Sequence, residues 1–472
     1  MLTSSHYISI IMTLIVVSGA GIYTAKFVRT ASDFTVGGKK MGSILISGSL
    51  VGSFVGGTST IGTSEMAFKY GFCGMWFTLG AGLSCILMAI LLTRPLREKN
   101  VETVSQYLAT VYGKNVAPWV AVYTSVGMFI QIGAQVLAAI PLLVIIFGLD
   151  ATGAAALASA LIVLYVIAGG FWAASLVGLI KLVLIYVSMV VAGIMGLSFL
   201  GGGTGMSAAL PAEPYLSFFP RGVGTELASI FSVVVGFAST QTYLQPLFAA
   251  SDIKSARRGA ILSGLLIPVI GVAAVMVGMF MRARHPDMSP ASALPRFIFD
   301  YMPPWLGGIT VATLFISLVL TGAALSLGIS TVLNRDIYSR FRPLAKEKEM
   351  LLVSRGLVLL VGLGVFVLVT ANMHSLILKW AFLSMALRGV TVFIPLAGAI
   401  FLAGRVNAVW GRVAVAVAPM LTIIWAFAFP ASIDPLYVGL VISALILGIG
   451  FLYKRDKECT QRTYGDGNGI GQ

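Results

Sequence analysis

The sequence predicts an all-α, polytopic membrane protein of about 13 transmembrane helices, and three observations carry that prediction. Of 472 residues, 58% are hydrophobic and 10% charged, whereas an ordinary soluble domain carries roughly 25% charged residues. The mean hydropathy is +0.96. Apolar runs of about 20 residues, the length that crosses a hydrocarbon core of about 30 Å, recur along the chain between short charged segments.

The first run, 7–27, has no Lys or Arg before it, while Lys26 and Arg29 follow. It therefore reads as a span rather than a cleaved secretory signal. Runs at 43–66 and 71–93 come next, then 116–147, which is long enough for a tilted helix. Runs at 152–171, 174–199, 224–249, 259–281, 305–333, 352–371 and 376–403 continue the series, and 410–430 and 434–453 end it. Beyond Tyr453 the tail is polar and Gly-rich, so disorder is expected over 454–472.

The net charge of +14, from 31 Lys and Arg against 17 Asp and Glu, is a topology signal and not a nucleic-acid footprint, because the cations sit in loops rather than in a basic stripe with interleaved aromatics. Positive-inside bias puts the amino terminus outside and the carboxyl terminus in the cytoplasm of a cell-membrane protein. In that arrangement the external cations are Lys69, Arg221, Arg282, Arg284, Arg296 and Lys379, while Lys181 and Arg388 fall inside spans. Cys73, Cys85 and Cys459 have no CxxC or Cys/His spacing, so neither a disulfide framework nor a zinc site is expected. No HExxH or Gx4GK[ST] motif supports an enzyme, Gly201-Gly-Gly-Thr-Gly205 reads as a loop, and no cofactor is expected.

Irregular spans point to a site, because unwound backbone at bilayer depth survives only where it lines a cavity or ligand. The run Gly52-Ser-Phe-Val-Gly-Gly-Thr-Ser-Thr-Ile-Gly62 is one such interruption; Gly236-Phe-Ala-Ser-Thr-Gln-Thr-Tyr-Leu-Gln-Pro246 is the other. They open consecutive groups of five spans, which is the pattern of an inverted-repeat secondary transporter with its site near the midplane. A channel is the rival class, since a hydrated path also explains broken helices.

Four further stretches carry a family resemblance: Asp33-Phe-Thr-Val-Gly-Gly38, Tyr165-x-x-Ala-Gly-Gly-x-x-Ala174, Gln245-Pro-Leu-Phe-Ala-Ala-Ser-Asp-Ile-Lys-Ser-Ala-Arg-Arg258 and Ser330-Thr-Val-Leu-Asn-Arg-Asp-Ile-Tyr338. In this order the chain resembles the sodium/solute symporter family, whose members share the LeuT-type fold. The resemblance implies a 5+5 inverted repeat with one leading and two trailing helices. The units would be 1–40 (leading helix and loop), 41–203 and 204–405 (the two repeats), 406–453 (trailing helices) and 454–472 (tail). It also implies that an ion gradient, sodium or protons, drives uptake of a small solute by alternating access.

By the same resemblance, sodium would be held by the backbone carbonyls of Gly52, Val55 and Ser317 and by side-chain oxygens at 320 and 321. Thr321 supplies a hydroxyl, but position 320 is Leu. A second departure lies where the family has Thr-Asp-x-x-Gln and this chain has Val177, Gly178 and Lys181. An ammonium in a membrane helix marks a functional site by default. Either Lys181 replaces the ion, which makes proton coupling or uncoupled exchange reasonable, or it snorkels to the cytoplasmic edge.

Candidate solute groups are Thr58, Ser59 and Thr60, then Gln131 and Gln135, which share a helical face, then Ser239, Gln241 and Tyr243. Arg388 adds a guanidinium suited to bidentate carboxylate recognition, so the solute is expected to be an organic anion such as a monocarboxylate or amino acid. Partners are thus the solute, sodium or protons, and membrane lipid, with no nucleic acid.

Overall fold

The computed structural model describes residues 3–25, 41–99, 101, 103–168, 171–429 and 433–465. Among them the regular secondary structure is helical, joined by short turns, and β pairing is limited to one isolated bridge, Met41 with Ala250. Asp33–Gly38, Gly169 and Gly170 of the motifs above, and the cations Lys26, Arg29, Lys39 and Lys40, lie outside the described residues.

The helices used below are α1 (Ser4–Ala25), α2 (Ser43–Phe54), α3 (Thr63–Tyr70), α4 (Trp76–Leu87), α5 (Val104–Tyr112), α6 (Ala117–Phe147), α7 (Ala151–Ala168) and α8 (Phe171–Phe199). Then come α9 (Val223–Phe237), α10 (Gln241–Phe248), α11 (Ile253–Arg284), α12 (Pro304–Leu333), α13 (Glu347–Thr370), α14 (Ile377–Phe401), α15 (Ala408–Ala428) and α16 (Pro435–Gly465). Among the described residues nine helices are long and apolar enough to cross a membrane, or ten if the bent pair α9 and α10 forms one span. Shorter apolar helices lie at Ser4–Val17, Ser43–Phe54 and Ala151–Ile167.

Burial separates a central group from a lipid-facing one. The apolar stretches of α12 and α14 are 72% buried and that of α13 only 17%, so α13 presents most of its surface outward as a peripheral membrane helix does. α12 and α14 both pack along α6, α9 lies on α14, and α11 is laid against α2, α3 and α4. Small residues permit these approaches. A Cβ on Gly236 of α9 would lie 2.3 Å from the Met385 carbonyl oxygen of α14.

Both expected interruptions are real breaks. α2 ends at Phe54, Val55 is extended (φ −72°, ψ 101°), and the chain re-enters a helix through a π-turn, Thr58–Gly62, that runs into α3. α9 and α10 meet at 45° across Ala238–Thr240. Glycine weakens a helix by about 1 kcal/mol relative to alanine, and neighbouring hydroxyls take over the released backbone. Ser59 and Thr60 donate to the Gly56 carbonyl at 3.0 and 2.8 Å, while Ser239 and Thr240 donate to Val235 and Gly236 at 2.6 Å each.

Two sequence expectations change. Gly201–Gly205 is not simply a loop, because after Gly201, at φ 80°, a short helix runs Gly202–Ala209. The last helix continues to Gly465, so the disorder expected from 454 does not begin there. Lys, Arg and Glu in that stretch are good helix formers, and composition alone hid the continuation.

Candidate functional site

The break after α2 exposes carbonyls that a continuous helix would have used, and three elements supply partners. From α8, the Lys181 ammonium donates to the Gly52 carbonyl at 2.7 Å and lies 3.4 Å from the Thr321 hydroxyl of α12. Lys181 is 1% exposed, so its alternative as a snorkelling residue is corrected: the packing of α8 on α2 aims it inward. Ser317, one turn before Thr321, donates its hydroxyl to the Val55 carbonyl at 2.8 Å. Leu320 instead joins Val17 of α1 in a small apolar cluster, so the position lacking a hydroxyl is packed toward α1. The side chains of 171–179, Val177 among them, lie outside the described residues.

The two glutamines of α6 converge on the same break. Gln135 accepts from the Gly57 amide at 2.8 Å, and the carboxamide nitrogens of Gln131 and Gln135 lie 3.4 and 3.3 Å from the Thr58 hydroxyl. A Cβ on Gly57 would come within 2.0 Å of Leu318 and 2.5 Å of Ala138. Only glycine lets the broken segment lie this close to α6 and α12.

Arg388 of α14 is fully buried. Its Nε donates to the Ser384 carbonyl at 3.1 Å, and Nη2 reaches the Ser384 hydroxyl at 2.8 Å, the Met385 sulfur at 3.3 Å and the Gln131 carboxamide oxygen at 3.5 Å. Nη1 has no hydrogen-bond partner. Tyr243 of α10 lies beside the guanidinium and stacks on Phe237 of α9 with ring centroids 4.2 Å apart. Phe54 closes that cluster, 5.2 Å from Phe237 and 5.0 Å from Phe77.

The geometry thus brings Lys181, Thr321, Gly52, Val55 and Ser317 together at the break, links Thr58, Gln131, Gln135 and Arg388 by polar contacts, and sets Tyr243 beside Arg388; the two groups adjoin at Gly56, where a Cβ would lie 2.9 Å from both Gln135 Oε1 and the Thr321 hydroxyl. Ser59, Thr60 and Ser239 spend their hydroxyls on the breaks themselves. Gln241 is turned toward α5, where its carboxamide oxygen accepts from the Val104 amide at 3.0 Å. Ser384, Phe54 and Phe237 were not anticipated. Each left a signal: Ser384 lies one helical turn before Arg388, and the two phenylalanines are the last helical residues before each break.

A model of the sodium:solute symporter family matches residues 34–414. The chain belongs to that family. A curated family relative, the osmoregulated proline transporter OpuE of Bacillus subtilis (strain 168), is 23% identical over 94% of this chain and 94% of its own length. The sodium-coupled monocarboxylate transporter 2 of Bos taurus is 24% identical over 75% of this chain and 61% of its own. Among solved structures, a substrate-bound outward-open Na+-coupled sialic acid symporter superposes with a TM-score of 0.76 at 18% identity, covering 96% of this chain and 98% of that one. At that identity the likeness shows the fold. This symporter-family chain is a multi-pass membrane transporter and not an enzyme.

Proposed function

We propose that the chain is a secondary active transporter that carries a small organic anion across the cell membrane by alternating access, with the Lys181 ammonium standing where relatives would bind sodium. The observation that carries this reading is the 2.7 Å contact from Lys181 Nζ to the Gly52 carbonyl, with the Thr321 hydroxyl at 3.4 Å. A hard cation needs several oxygens. Here one of those oxygens is engaged by an ammonium, Val55 accepts from Ser317 and position 320 has none. A sodium ion would also meet a like charge. The donor set does not fit sodium while Lys181 is charged, and coupling falls to protons or to exchange. A sodium-coupled reading is favoured by family membership and by the sodium-coupled relatives; it requires Nζ to leave the Gly52 carbonyl.

In this reading α1 and α7 also span, and α2 joins Thr58–Tyr70 as one broken span, which gives about 13 spans of bilayer length. They form two inverted groups, 41–203 and 204–405, after a leading unit 1–40 and before trailing helices 406–453, with the amino terminus outside. The solute's carboxylate is taken by Arg388, whose Nη1 has no hydrogen-bond partner, and its polar remainder by Thr58, Gln131, Gln135 and Tyr243. Proline, monocarboxylates and sialic acid, named for the relatives, all carry a carboxylate. The test is uptake in proteoliposomes under a sodium gradient and under a sodium-free pH step. Sodium-independent uptake that is lost in Lys181→Gln supports the reading; uptake that requires sodium in the unmodified protein rejects it.

A further inference from the structure

A third ionisable group lies within the spans and has no part in the site above. Glu65 on α3 is 5% exposed, just beyond the π-turn Thr58–Gly62, and its Oε2 accepts from the backbone amide of Ile377 at 2.8 Å. Ile377 is the first residue of α14, whose own capping position, Leu376, makes no side-chain cap bond. A carboxylate from another helix therefore does the work of a capping residue. The same two segments touch again at Gly62, where a Cβ would lie 2.9 Å from Ile377 Cγ2 and 3.3 Å from Leu378 Cδ2.

A buried carboxylate inside a membrane span is a costly feature that marks function by default, and no cation pairs with this one among the described residues. Lys69, exposed and one turn on, acts on it electrostatically across its own helix face. The elements packed against α3 carry Lys254, Arg257, Arg258, Arg282 and Arg284 on α11, Lys379 and Arg388 on α14, Arg296 and Asp300 on the helix Ala293–Tyr301, and Glu213 in the turn Ala212–Leu216; among the described residues none forms an ion pair with it.

We propose that Glu65 is a proton-binding site: its charged form latches the Thr58–Tyr70 half of the broken helix to the N-terminus of α14, and protonation releases that latch. The proposal rests on the reading of an ion-coupled transporter that does without sodium. The step is the addition of one proton from water to the carboxylate. One oxygen becomes a hydroxyl, the other a neutral acceptor, and the attraction between a full negative charge and the positive end of a 25-residue helix is lost. The consequence reaches the solute. Arg388 lies about 16 Å along α14 from Ile377 at 1.5 Å per residue, while the broken helix holds the Gly52 carbonyl and Thr58. The latched state ties both halves of the site together, and the unlatched state lets α14 move with Arg388.

Hydrogen–deuterium exchange of the purified full-length chain in lipid nanodiscs, corrected for intrinsic exchange at each pH, reads the latch without any solute. Protection of Ile377–Trp380 in the unmodified protein should fall about fivefold or more between pH 8 and pH 5, the effect of losing a helix cap. Glu65→Gln should show the released level at every pH, with α12 unchanged. A pH-independent protection of that turn in the unmodified protein overturns the proposal, and this holds whether or not the variant folds. Equal protection in a folded Glu65→Gln protein also overturns it. Because the readout involves no transport, failure of the transport reading and failure of the latch are separate results.

Discussion

Lys181 stands at a depth from which its four-carbon stem can reach either the aqueous edge or the interior, and its sequence neighbours leave both directions open. The packing of α8 against α2 decides, because it places an unmet carbonyl at Gly52 within 2.7 Å of Nζ. That carbonyl is unmet only because α2 stops. Arg388 makes the complementary case. Its position within a span was legible, and so was the scarcity of intramembrane acids, but its anchoring by Ser384 and its approach to Tyr243 depend on how α14 meets α10. Arg388→Gln should raise the apparent KM for an anionic solute about tenfold or more, the loss of one charge-assisted hydrogen bond, and leave a neutral analogue unaffected. Equal losses for both in competition uptake would reject the carboxylate role.

The breaks were the most legible elements. Glycines interleaved with hydroxyl residues both weaken a helix and provide the donors that repair it, so Gly52–Gly62 and Gly236–Pro246 announced their own irregularity. Helix ends were less legible. The short helix Gly202–Ala209 and the extension of α16 to Gly465 follow from local backbone preferences that apolar-run counting ignores. The side on which Leu320 packs was invisible for a further reason, since it depends on α1, far away in sequence. At this scale Gly57 is the position to perturb. Gly57→Ala forces a Cβ to within 2.0 Å of Leu318, and overpacking of this kind costs about 1–3 kcal/mol. Its melting temperature should fall, whereas an alanine at Gly224, which has nothing within 4 Å, should leave it nearly unchanged. Equal melting temperatures would show that the broken segment is not packed as described.

For the whole molecule, α6, α12 and α14 form a buried centre against which the two broken helices are held, and the family's architecture is kept. The fold class was written in composition and run length. The family was written in short motifs, part of which, such as Asp33–Gly38, lies outside the described residues. In the function proposed here, the distinguishing feature of the chain is the Lys181 charge at the first break. An ammonium covalently attached to α8 makes the same kind of contact that a bound cation would, without exchanging with solution. The most direct measurement is the melting temperature of the purified protein in matched sodium, potassium and choline salts. A bound ion stabilises by RT ln(1 + [L]/Kd), about 2.7 kcal/mol at a hundredfold excess over Kd. With Lys181 in place, the three salts should give the same melting temperature within error. A sodium-specific increase in the unmodified protein would contradict the account.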